Sequence, residues 1–417
     1  MYKRQTPDFE PDLVNHTNRI FSGLTQNYIY DIDVTKDQTQ YYHIVAERTF
    51  GERMRIGLPS DQTYATVVPE GELEKALGLN GTSSYSSIGL GQGTAYVNVA
   101  SGNLVYQVTD FSKAEHLLSM SMSRTFNSQA RAETSLGRGW DFSFNTSLLR
   151  LYDDDLNEIG LILKDGDGSV HKILKDPDSG AFIPPADDYM EVSINEQGKY
   201  TITRKNNITY TFSPDTLQLE SYREPNGVVL FMNYDSRGRL ISVEHIMSEG
   251  EITFLYNGMD KMVGAYNHFN LYESLEVQYD YGEYGWVEEA YTYRDGGEKI
   301  YERYSYYESS WPGNEEHDPT VTGGFVLYTP TNGASGTAER LQDVRIQDSK
   351  VQMVIDSDFT TYWFTYASQG EGDALTNTTT LQQLVNDGSG GDGPVPFATS
   401  TFVTNAQGLL CLLYTSS

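Results

Sequence analysis

A single cysteine in 417 residues, Cys411, excludes an internal disulfide framework and a cysteine-based zinc cluster. Positive charge is scarce too: 29 Lys+Arg stand against 58 Asp+Glu, a formal net charge of −29. So few bases cannot neutralise a phosphate backbone, which argues against nucleic acid as a partner and against docking on an anionic bilayer. No apolar run approaches the ~20 residues of a spanning helix, so no membrane insertion by this segment is expected. No charged-then-apolar leader opens the chain. The opening Met1–Gln5 and closing Cys411–Ser417 read as translated adapter residues, so truncation at both ends is expected, with the only cysteine foreign. Stretches rich in Ala, Leu and Lys are few, which removes the usual material of helices.

What is abundant is Tyr (31) and Gly (38). Tyr suits strands with one half-wet face, and Gly marks turns and bulges, so the composition reads as all-β with many tight turns. Residues 6–88 form a leading segment of unknown type, mostly β, with Glu70–Leu77 as its one helix candidate. The Gly- and Ser-dominated run from Gly81 to Gly93 reads as a linker and sets a first boundary. Residues 89–220 read as consecutive strands, with Ala100–Asn103, Asp153–Asp155, Asp165–Gly168 and Asp176–Gly180 as turns. Residues 221–410 carry a repeat whose later part is degenerate and acidic, with Gly388–Gly393 as a flexible loop.

The repeat is the most informative feature. Alternating runs end in Phe212, Tyr234, Tyr256 and Tyr279, spaced 22, 22 and 23 residues apart, each followed by Asp or Asn nearby. One unit reads as a hairpin. Tyr234 ends the outgoing strand, and Asp235 accepts amides a few residues on. Gly238 supplies a positive φ, and Leu240 and Val243 open the return. A lone hairpin is marginal, so units must stack edge to edge into a long sheet.

Candidate chemistry is sparse. Asp165, Asp167, Ser169 and Asp176 fall at calcium-loop positions, but Val170 occupies the required glycine position, so a hairpin turn is favoured. The seven histidines (His16, His43, His116, His171, His245, His268, His317) lack metal spacing, and His317-Asp318 reads as an exposed acidic turn. Gly89–Gly93 lacks the third glycine of a dinucleotide loop, which is Tyr96. Trp140 reads as a core aromatic rather than a ligand contact. No cofactor, metal or catalytic residue is expected.

These residues resemble the YD-repeat family, also called Rhs-repeat proteins, whose unit is G-x(n)-Y-x-Y-D-x-x-G-R-L. Gly227, Tyr234, Asp235, Gly238, Arg239 and Leu240 match it, with Met232 in place of the first Tyr. Gly250, Tyr256 and Asn257 match a second unit, with Lys261-Met262 for Arg-Leu, and Tyr279-Asp280 begin a third. Upstream, Asn98, Gly102 and Asn103, then Arg124 and Asn127, then Gly137, Gly139 and Trp140 resemble the VNVATGNL, RTYNS and GxGW patterns that precede the repeats in bacterial members.

The resemblance implies YD-repeat hairpins stacked into a spiralling β-sheet shell, here partial. It implies a non-catalytic wall segment that encloses or carries a C-terminal toxin or effector in a secreted or cell-surface bacterial protein. In the family a self-cleavage core and the toxin lie after the repeats, and neither is visible in this sequence. A surface adhesin that binds glycans or partner proteins through Tyr-rich faces is the alternative, and an enzyme on a β-solenoid is a third reading for which no residues are specified.

Overall fold

The computed structural model describes residues 77–416 apart from 115–118, 131–132, 153–156, 186–187, 246–249, 269–273, 283–284, 294–297, 308–322, 331–338, 371–373, 386–394 and 407; before residue 77 it describes only the backbone of 2–4, 39–43, 45–50, 53–59 and 63–66. The expectations for Asp153–Asp155, His317-Asp318 and Gly388–Gly393 lie outside the described residues, as does the helix expected at Glu70–Leu77 except for Leu77, which is buried and not helical. The chain divides into two compact units, Met1–Glu74 and Lys75–Ser417. In the first, β1 (Tyr2–Arg4), β2 (Thr39–His43) and β5 (Thr63–Thr66) form one antiparallel sheet, and β3 (Val45–Phe50) pairs β4 (Arg53–Pro59).

The second unit holds three antiparallel sheets. The first is a meander of five strands: β6 (Tyr85–Leu90), β7 (Gly93–Asn98), β8 (Leu104–Ala114), β9 (Ser119–Asn127) and β10 (Trp140–Phe142). The Gly/Ser-rich run is therefore not a linker. Tyr85–Leu90 pairs with Gly93–Asn98, and Ile88 and Leu90 are buried. Alternation of two apolar residues in a polar stretch was enough to make a strand, because one face alone is covered. The second sheet has four strands: β11 (Ser147–Tyr152), β12 (Glu158–Lys164), β13 (Val170–Lys175) and β14 (Phe182–Ile183).

The third sheet runs unbroken through eighteen strands in chain order, from Met190–Ile194 to Leu410–Ser416. It begins upstream of the expected repeat boundary at 221 and continues through the acidic stretch where the repeat fades. A meander needs alternation and turns, not the full repeat lettering, and Lys299–Tyr306 still places Glu302, Tyr304 and Tyr306 on the covered face.

One turn recurs along it. In Asp235–Arg239 the Asp235 amide donates to the Arg239 carbonyl (3.0 Å) and the Gly238 amide to the Asp235 carbonyl (2.9 Å). Oδ1 of Asp235 accepts the amides of Arg237 and Arg239, each at 2.9 Å. The same backbone pair, with an Asx side chain accepting the amide four residues on, closes Asn195–Lys199, Asn257–Lys261, Asp356–Thr360 and Asn405–Leu409. The fourth residue has positive φ throughout: Gly198, Gly238 (+80°), Asp260, Phe359 (+61°) and Gly408. This is a type I turn ending in a bulge, and the pairing shifts by one at Asn233/Tyr234 and Leu255/Tyr256 as a bulge requires.

The strand-end tyrosines stitch neighbouring hairpins along the margin that carries Asp235–Arg239. Tyr234 donates to the Leu219 carbonyl (2.9 Å), Tyr256 to Leu240 (2.7 Å), Tyr281 to Met262, Tyr306 to Val287 (2.6 Å) and Tyr366 to Val351 (2.8 Å). Each bond joins two strands that no turn connects at that end. Arg239 adds a second stitch: it holds Asp235 through Nε (2.7 Å), reaches Asp260 of the next turn (2.7 Å) and lies over the Tyr256 ring.

The third unit is thus phased differently from the sequence reading. Tyr281, not Tyr279, occupies the stitching position, and its turn is Gly282–Trp286, where the Gly282 amide donates to the Trp286 carbonyl at 3.0 Å. Tyr279 is buried and donates to Asp110 instead of to a neighbouring strand's carbonyl, and Asp280 is exposed opposite Glu289. The aromatic spacing was two residues off because Tyr279 and Tyr281 share one face of the strand, and spacing alone does not separate them.

Candidate functional site

The five-stranded sheet lies against the covered face of the eighteen-stranded one, and the join is polar at its centre. Arg124 on β9 sits there, its side chain almost fully buried between two carboxylates. One guanidinium nitrogen pairs with Asp110 of β8. The other meets Glu302 Oε2 at 2.5 Å and the Tyr304 hydroxyl at 2.9 Å. Asp110 reaches inward because β8 bulges there: Thr109 pairs Ser123 and Phe111 pairs Met122, leaving Asp110 as the extra residue.

Both carboxylates are saturated with donors. Tyr279 donates to Asp110 (2.7 Å). Tyr106 (2.7 Å), Tyr304 (2.7 Å) and the Gln92 amide (2.6 Å) donate to Glu302. Beside them the Gly91 amide donates to buried Gln342 at 2.6 Å. Trp140 packs 5.1 Å from the Tyr304 ring, carries the Arg124 guanidinium over its face at 5.7 Å, and donates to the Tyr306 hydroxyl (2.7 Å).

Electrostatics follow from burial. Removal from water raises the Tyr106 hydroxyl well above its usual pKa, and the Glu302 charge adds to the effect. Burial also holds Tyr304 and Tyr279 high, against the pull of Arg124. Burial opposes the Arg124 charge, but Tyr304, Glu302 and Tyr279 outweigh it and raise its pKa further. The three hydroxyls stay protonated and Arg124 stays charged across any physiological range. With its oxygens occupied and its charges sealed from solvent, the cluster ties the two sheets together.

The upstream motif residues build the frame around this cluster. Asn98 closes the β7–β8 turn by accepting the Ala100 (2.9 Å) and Ser101 (3.1 Å) amides, with Gly102 at positive φ beside Lys350. Asn103 bridges to Asn127 (3.2 Å) and accepts from Ser128 (3.1 Å). Asn127 in turn takes the Gly78 amide (2.7 Å) and gives to the Asp167 carbonyl (2.8 Å). Gly137 passes so close to Gly285 that a Cβ would lie 2.6 Å from its carbonyl oxygen, and the Gly139 carbonyl accepts the Asn127 amide. Of the repeat residues, Gly227 has positive φ in the turn after Glu224, buried Leu240 accepts the Tyr256 hydroxyl, and the Gly250 carbonyl accepts the His245 amide.

Residues 94–172 match a family described as a domain of unknown function, DUF6531. The match spans the Asn98, Arg124 and Trp140 motifs and ends just past His171. No curated protein matches. Among solved structures, a chain of the Photorhabdus luminescens Tc holotoxin pore, in a mutant form, aligns with 90% of this chain and 22% of its own length. The identity is 9% and the TM-score 0.22, too low to bear on fold or function.

Sequence reading did not single out Glu302, Gln342, Tyr304 or Tyr306. The available signal was parity: Glu302 shares a face with Tyr304 and Tyr306, and an acid in a tyrosine-lined face calls for a buried cation. A second charged cluster was also missed. His171 of β13 lies 2.9 Å from Asp165 and pairs with Asp188, while Arg204 spans the same two acids at 2.5 and 3.1 Å. It bridges the four-stranded and eighteen-stranded sheets. Asp165, weighed as a calcium ligand, is thus committed to protein cations. Among the described residues no group of three or more His, Cys, Asp and Glu is placed to hold a metal, and no helix is long and apolar enough to cross a membrane.

Proposed function

We propose that this chain is a non-catalytic wall segment of a YD-repeat β shell that encloses or carries a C-terminal toxin or effector in a secreted or cell-surface bacterial protein. The observation that supports it most is the reach of the large sheet around the small one. The five-stranded meander and its flanking loops touch that sheet from Phe254, whose ring centroid lies 5.7 Å from that of Phe142, through Met262, Tyr279, Glu302, Gln342 and Val351 to Thr379, which donates to the Val99 carbonyl, and Gly408 beside Ala100.

Eleven strand spacings separate Glu251–Tyr256 from Leu410–Ser416, about 53 Å if the sheet were flat, whereas five strands cover only about 19 Å. A flat sheet could not meet the small one at all these points, so it curves about it. A curved wall with every internal edge paired is what enclosure needs.

The test is to extend the chain along its own genomic locus and expose the product to protease. The reading expects a downstream segment that resists cleavage until the wall is denatured. A downstream segment cut as fast as a free peptide would overturn it.

The adhesin reading draws on the opposite face, where Tyr291, Tyr301 and Tyr328 form an outer row with Lys299 and Arg303 stacked on their rings and Tyr293 exposed beside them. Retention on immobilised glycans, lost on Tyr293→Ala, would favour it.

A further inference from the structure

At one end of the seam between the two sheets lies a cavity of about 520 Å³, within the range of small-molecule sites. Among the described residues its charged lining is Arg138 and Lys350 against a single acid, Asp348. That sign is opposite to the chain's, in which acids outnumber bases two to one. Arg138 is exposed and makes no hydrogen bond, ion pair or ring contact among the described residues. The Lys350 ammonium has no carboxylate partner among the described residues and lies over the Tyr366 ring at 5.1 Å. In so acidic a protein, two cations against one acid at a cavity leave an unmet demand for an anion. The wall between them is aromatic: Trp286 and Tyr306 meet edge to face at 4.9 Å, and Tyr307 follows.

We propose that this cavity binds an anionic group, carboxylate or phosphate, carried on an aromatic body, with Arg138 and Lys350 meeting the charge and Trp286 and Tyr306 the ring. The offset rings give a ring ligand a face-and-edge seat, and the guanidinium offers two parallel donors to the anion. The site draws Arg138 from the region of the family match and Trp286 and Lys350 from the repeat sheet, so it exists only when the two are joined. It does not depend on the wall reading, since a free small acid or an acidic aromatic peptide meets the same chemistry.

Calorimetric titration of the full chain with phenyl phosphate, with N-acetyl-Trp-Glu-amide and with neutral benzyl alcohol tests it. The expected result is saturable one-to-one binding of at least one anionic probe and weaker or no binding of benzyl alcohol. Preference for phenyl phosphate assigns a free small acid, and preference for the dipeptide an acidic peptide. Arg138→Glu should weaken binding about tenfold or more without altering the melting curve, since the side chain has no partner to lose among the described residues. Gly323→Leu should fill the cavity and abolish binding; among the described residues a Cβ there meets only Ile346, at 3.8 Å, so the strand is kept. Failure of both anionic probes to saturate at millimolar concentration, benzyl alcohol binding as well as phenyl phosphate, or Arg138→Glu binding like the parent would each overturn the proposal.

Discussion

At the scale of single residues, the repeat letters divide the labour of one joint. Asp closes the turn, the fourth residue takes positive φ, Tyr ties the hairpin to the strand before it, and Arg ties the turn to the next one. Gly238 meets the φ requirement without strain, whereas Phe359 meets it at +61° with its ring exposed. The two positions predict opposite responses. Gly238→Val should cost about 1 kcal/mol or more, because a β-branched residue is strained there. Phe359→Gly should raise stability by up to about 1 kcal/mol, since the relief of left-handed strain exceeds the added freedom of the unfolded chain. Urea titrations of both variants check this, and equal midpoints would contradict the turn assignment.

Arg124 is the residue whose loss should matter most. Arg124→Leu strands two buried carboxylates and should cost on the order of 3–5 kcal/mol. Arg124→Lys should recover little, because one ammonium cannot serve Asp110 and Glu302 as a planar fork does. A lysine variant with parental stability would show that geometry is not what the site requires.

Between elements, charge joins what the backbone leaves apart. Backbone pairing is continuous from Met190 to Ser416 but does not pass from Phe182–Ile183 to Met190–Ile194. Across that break stand His171, Asp165, Asp188 and Arg204. Burial works against the His171 charge, yet hydrogen bonds and charge from Asp165 and Asp188 prevail and lift its pKa from 6.5 to about 9. A raised folded value means stabilisation that is complete below pH ~6.5 and lost as pH rises through about 9. Burial raises the Asp188 pKa, but bonding to His171 outweighs it and the net shift is downward, so its share is lost only in acid. Melting temperature should therefore fall between pH 6.5 and 9.5 in the parent and fall less in His171→Gln. Parallel pH profiles would contradict the latch.

This element scale is also where the sequence was most and least legible. Alternation and Asx-Gly turns disclosed the hairpins at Asp235 and Asn257, because both signals are local. The Tyr279/Tyr281 phase, the strand inside the Gly/Ser run and the Glu302 partner of Arg124 were hidden. Each is decided by which face another sheet covers, and Glu302 lies 178 residues from Arg124.

For the whole molecule, everything turns on curvature: a sheet that encloses must bend, and here it bends about the small sheet it packs against. A double electron–electron resonance measurement addresses that directly. Cys411 is exposed and unpaired, so Cys411→Ser clears the background, and labels can then be placed at Asp215 and Ala406, in turns near the third and last joints of the large sheet. A flat sheet would hold the two sites about 67 Å apart. The account predicts a single distance distribution centred well below that span, and collapsing toward a broad, longer one in Arg124→Leu. A distribution centred at the flat span in the parent protein would contradict it.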